Sequence, residues 1–227
     1  MKPMTTVTRK WTSGMIFHNF DFLTRDPVGF LLYAVSMLAV LVVSISVHEF
    51  SHALISNALG DPTARNLGRL SLNPRVHLDP MGGIALLLMG FGWGKPVPVN
   101  PYNLRINPLR GMSLIAVAGP VSNIMLATLL AVPFRLGLIH WPVGNPFGST
   151  ILEQGLYLGI VVNLMLAVFN LIPVAPLDGG NVLIGILPRN LAIQLTTWQK
   201  WGPGLLFGLI FIDILFNLGI LWRVLGP

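Results

Sequence analysis

From Pro27 to Val47 the chain runs for 21 residues without a charge and then passes directly into His48-Glu49-Phe50-Ser51-His52. An apolar run of about 20 residues matches the hydrocarbon thickness of a bilayer when it is helical. Helix is the form such a run must take, because lipid offers its backbone no other hydrogen-bond partners. An ionisable trio at the end of such a span is costly unless it has a role. On a helix, residues four apart share a face, so His48 and His52 can hold one metal ion while Glu49 flanks that face and reaches a water beside it. The His-Glu-x-x-His spacing is the zinc-hydrolase pattern for that reason. The plainer alternative is a pair of hydrogen-bonded core histidines beside a buried glutamate.

Composition agrees with a membrane setting. Only 10% of the 227 residues are charged, 53% are hydrophobic, and the mean hydropathy is +0.72; soluble domains carry roughly 25% charged residues. The net charge of +6 would suggest nucleic acid in a soluble chain. Here basic loops at a membrane surface account for it, and no nucleic-acid partner is expected. With no cysteine, any metal must rest on His, Asp and Glu. The stretch before Asp26 has no compact apolar core of the signal-peptide kind.

The expected organisation is an N-terminal tail, 1–26, either interfacial or disordered, followed by one transmembrane domain, 27–227. The fold class is an all-α polytopic membrane protein with about four transmembrane helices. The spans are read as residues 28–58, Gly111 to Phe134 (interrupted at Gly119-Pro120), Gln154 to Ile172, and 203–222. Between the first two, residues 61–110 are rich in Pro, Gly and Asn, and helix is not expected there. Within them, Met81 to Trp93 is apolar but too short to span, and reads as a re-entrant β-hairpin. The third span runs into Pro173-Val174-Ala175-Pro176-Leu177-Asp178, where two prolines break the helix. Residues 181–200 read as a short helix and a surface connection. Loops 61–110 and 181–200 hold eight Lys/Arg; the other side holds six, Arg135, Arg223 and the tail's Lys2, Arg9, Lys10 and Arg25. The excess places the Gly60 end of the first span in the cytoplasm, with the basic tail on the opposite side running against it.

A catalytic zinc site takes three protein ligands and keeps one position open. The third ligand must come from a short list of acids. Asp178 follows the third span and can approach the histidines at similar depth. Asp213, alone in the last span, is the competitor, with pairing inside the bundle as its plainer role. His77 and Asp79 could form a second metal site, although turn and hydrogen-bond roles suit them better.

At this point the chain resembles the site-2 proteases, intramembrane zinc metalloproteases. His48-Glu49-Phe50-Ser51-His52 matches their metal motif, and Asn170-Leu171-Ile172-Pro173 with Leu177-Asp178-Gly179 matches their second motif. Pro80-Met81-Gly82-Gly83 is similar to their glycine turn, and Ala118-Gly119-Pro120 with Asn123 lies in the second span. The likeness covers about residues 30–190 and implies a short bacterial or archaeal form lacking PDZ and cystathionine-synthase-like domains. It implies one zinc ion per chain on His48, His52 and Asp178, Glu49 as catalytic acid/base, and Asn170 as a substrate- or transition-state-positioning donor. The implied activity is hydrolysis of peptide bonds in single-span membrane proteins, with the active site towards the cytoplasmic side of the cell membrane. Unwound substrate could add as a strand to the 61–110 segment. A homo-oligomer is possible. Two other functions compete: a membrane metallopeptidase acting on soluble peptides, and a metal transporter.

Overall fold

The computed structural model describes residues 24–89, 92–141, 150–216 and 218–219. Among the described residues eight α-helices follow one another: α1 Pro27–Ala58, α2 Thr63–Asn66, α3 Pro80–Met89, α4 Pro108–Arg135, α5 Ile151–Asn170, α6 Asp178–Ile186, α7 Arg189–Gln199 and α8 Gly202–Phe216. Among the described residues there is no strand, only one antiparallel bridge between Leu78 and Gly94. The tail assigned to residues 1–26 lies almost entirely outside the described residues.

Among the described residues three helices, α1, α4 and α5, are long and apolar enough to cross a membrane. The chain is an integral membrane protein. Large apolar side chains such as Val35, Leu38, Met125, Leu129 and Val168 stand exposed along these helices, as lipid-facing side chains do. The expected fourth span, 203–222, lies partly outside the described residues; within them α8 has 15 residues, about 22 Å of helix. α4 is the central element and packs against α1, α5 and α6, while α1 also touches α5.

Local chemistry sets the boundaries. Asp26 caps α1 by accepting from the Gly29 N–H at 2.9 Å, with Pro27 in the first turn. Asn107 caps α4 through Leu109 and Arg110, again ahead of a proline. Thr150 and Glu153 form a reciprocal capping box at the start of α5. α1 ends at Gly60, whose φ of 108° suits only glycine, and the Arg105 side chain crosses where a Cβ would stand.

Two expectations are corrected. Pro80–Met89 is a helix, not half of a β-hairpin. Asp79 Oδ1 accepts from the Met81 N–H at 2.8 Å and the Gly82 N–H at 3.3 Å, and so starts the helix. Helix also satisfies this apolar backbone internally, which a lone hairpin cannot do. The glycine at 82 serves close packing, since a Cβ there would meet the Trp93 carbonyl. Secondly, α4 runs unbroken through Pro120, which is buried within it.

Candidate metal centre

His48 and His52 project from α1 towards α4 because Gly119 leaves room for them. A Cβ at that position would lie 2.5 Å from His52 Nε2 and clash with His48 Cε1. Both histidines are buried. His52 Nδ1 donates to the Ile115 carbonyl of α4 at 2.7 Å, so its Nε2 carries the lone pair. His48 Nδ1 lies 2.6 Å from Asn123 Oδ1.

Asp178 reaches them from the start of α6. α5 ends at Asn170, and the chain turns through Pro173 and Pro176 before α6 begins at Asp178. Gly179 lies against the Leu171 and Ile172 carbonyls so closely that no side chain fits. At the other end of α6, the Ser113 hydroxyl donates to the Val182 carbonyl at 3.2 Å, and Gly185 lies on the Ser113 side chain. α6 is thereby seated on α4 with its acidic first residue at the histidines.

Three basic atoms converge. His48 Nε2 and His52 Nε2 are 3.0 Å apart, and Asp178 Oδ2 lies 3.2 and 3.4 Å from them. Ligand atoms about 2.0–2.1 Å from a tetrahedral zinc ion would be roughly 3.3 Å from one another. Asp178 Oδ2 is buried without a hydrogen-bond donor. A cation between the three satisfies them all, and the donor set fits zinc. Among the described residues this is the one group of three or more such side chains that could hold a metal ion.

Glu49 points beside this group. Its Oε2 accepts from the Val97 N–H at 3.1 Å, and Gly94 brings the same returning segment near Oε1. Asn170 ends α5 and donates one amide hydrogen to the Leu166 carbonyl at 2.9 Å. Asp213 is buried in α8 and is not in the converging group. His77 bonds the Ser71 carbonyl at 2.6 Å and Asp79 caps α3, so both have local roles.

The model of Peptidase family M50 matches residues 135–197. YwhC of Bacillus subtilis is 38% identical over 203 residues, covering 87% of this chain and 90% of the relative. The chain belongs to peptidase family M50. Further relatives are similar to it. Rip2 of Mycobacterium tuberculosis is 29% identical over 196 residues, 85% of this chain and 71% of the relative. The zinc metalloprotease MJ0392 of Methanocaldococcus jannaschii is 26% identical over 200 residues, 84% of this chain and 48% of the relative. No solved structure gives a significant match. This M50 protein is a zinc metalloprotease.

Sequence reasoning missed four contributors: Ser44, Asn163, Gly119 as the space for the imidazoles, and the Val97 N–H on Glu49. Asn163 carried a signal, being an amide within an apolar span. A backbone donor such as Val97 leaves no trace in composition.

Proposed function

We propose that this M50 protease hydrolyses peptide bonds of single-span membrane proteins, with His48, His52 and Asp178 as zinc ligands and Glu49 as the acid/base. The observation that carries the reading is the convergence of these three ligands from the ends of α1 and α6, on helices flanked by lipid-facing side chains. Zinc supplies Lewis-acid polarisation and a water that ionises near neutral pH.

The protein side of the chemistry follows from positions. Glu49 would hold the proton that hydrolysis moves, taking it on one carboxylate oxygen and giving it to the leaving amine. The Val97 N–H on Oε2 holds the carboxylate while it does so. Asn170 has a second amide hydrogen beyond the one given to Leu166, and this hydrogen is offered to the substrate carbonyl. The basic residues near this end of α1, among them Arg65, Arg69 and Arg105, support a site that faces the cytoplasm.

The test is cleavage in liposomes. A single-span substrate and a soluble peptide with the same scissile sequence are offered to the zinc-loaded protein, and products are mapped by mass spectrometry. Cleavage of the membrane substrate at a bond within its apolar segment is expected. Preference for the soluble peptide would favour a membrane metallopeptidase, and zinc flux without cleavage would favour a transporter.

A further inference from the structure

The His52 ring is oriented by a carbonyl, which can only accept; the His48 ring faces a side-chain amide, which can present either end. Something must decide which end Asn123 shows. With its oxygen towards His48, Nδ1 carries the hydrogen and Nε2 is free to bind metal. With its NH2 towards His48, Nε2 would be the protonated nitrogen and could not.

The deciding groups lie on two other helices. Asn163 of α5 gives its two amide hydrogens to acceptors: the Gly159 carbonyl at 2.7 Å and Ser44 Oγ at 2.9 Å. Its oxygen must then face Asn123, whose Nδ2 donates to it at 2.7 Å. The other hydrogen of Asn123 points to the Ser44 carbonyl at 3.4 Å. That leaves Asn123 Oδ1, and only Oδ1, for His48 at 2.6 Å. The two asparagines are fully buried and Ser44 is 1% exposed, so no water competes. Ser44 sits one turn before His48 on α1, and the network therefore closes across α1, α4 and α5.

We infer that Asn163 and Asn123 form a directional relay that fixes His48 in its metal-binding tautomer. Two backbone carbonyls, those of Gly159 and Ser44, set its polarity. Asn163 touches neither the metal nor its ligands; it is a positioning residue that acts through Asn123. The inference rests on His48 being a zinc ligand. Groups that orient a ligating imidazole are typically worth 10–100-fold in metal affinity.

A double variant distinguishes this relay from simple packing. With alanine at 123 there is no amide for Asn163 to orient. Purified apo-protein in detergent is titrated with zinc against a chelator of known affinity, and cobalt(II) spectra report the coordination. Asn163→Leu should weaken zinc binding roughly tenfold or more, while the unfolding midpoint of the apo form reports on packing separately. Asn123→Ala should weaken zinc binding at least as much as Asn163→Leu. Adding Asn163→Leu to the Asn123→Ala background should then produce no further loss. Where Asn163→Leu does not yield folded protein, Asn163→Ala replaces it with the same expectations. Undiminished affinity in the Asn163 single variant overturns the relay, as does an equal loss in both backgrounds. If His48→Ala leaves zinc affinity unchanged, the fault lies in the ligand assignment and not in the relay.

Discussion

Replacing Gly119 by alanine adds one methyl group to α4, and the structure gives its consequence. The new carbon would stand 2.5 Å from His52 Nε2 and 2.6 Å from His52 Cε1, against an ordinary contact of 3.4 Å or more. The ring must therefore retreat by about 0.9 Å, while zinc–ligand distances tolerate only about 0.2 Å. His52 cannot retreat freely, because Nδ1 is tied to the Ile115 carbonyl. Overpacking of this kind costs about 1–3 kcal/mol, which corresponds to roughly 5- to 150-fold in zinc affinity if the strain falls on the metal-bound state. A misplacement of about 1 Å near the chemistry adds a loss on the order of 100-fold in turnover. Zinc per chain after chelator challenge, with proteolysis of a membrane substrate, measures both. Gly155→Ala in α5 is the control, since a Cβ there meets nothing within 4 Å, and it should behave as wild type. Wild-type zinc retention and turnover in Gly119→Ala would refute the close approach of α4 to the imidazoles.

Asp178→Asn should lower both zinc occupancy and activity, whereas Asp213→Asn should leave zinc content unchanged; metal analysis of the two variants separates the acids, and the opposite pattern would make Asp213 the third ligand. Val97→Pro removes the N–H that Glu49 accepts, and should reduce kcat about tenfold, the worth of one hydrogen bond to a charged group, with zinc per chain unaltered. Asp61 predicts a pH dependence. Burial opposes its ionisation, but donors from Thr63, Asn103 and Asn100 outweigh it and bring the carboxyl down to about 2. A lowered folded-state value means stability present above the usual carboxylate range, near 4, and lost as pH falls towards 2. Asp61→Asn should therefore destabilise the protein by about 1–3 kcal/mol at neutral pH and flatten the acid limb of its unfolding curve.

The chemistry was more legible in the sequence than the shape. His48, His52 and the break before Asp178 are encoded by spacing and by prolines, which act locally and survive any packing. The hairpin expected near Gly82 failed because glycines were read as turn signals. Asp79 and Pro80 carry a stronger helix-start signal, and Gly82 is small to let Trp93 pass. Gly119-Pro120 was read as an interruption for the same reason. There the glycine makes space for the imidazoles, and the proline sits inside a helix that runs on. Asn163 and Ser44 were legible only as polar residues in apolar spans. Their partners on other helices lie 40 or more positions away, and no local pattern predicts which helices meet.

The central claim is that one zinc ion on His48, His52 and Asp178 works with Glu49 to cut peptide bonds in the membrane. Glu49→Gln tests it most directly, because glutamine keeps the size and loses the base without touching a ligand. Purified Glu49→Gln protein in liposomes should hold about one zinc per chain and fail to cleave a single-span substrate that the wild type cuts. Loss of zinc in this variant, or turnover equal to wild type, would contradict the account.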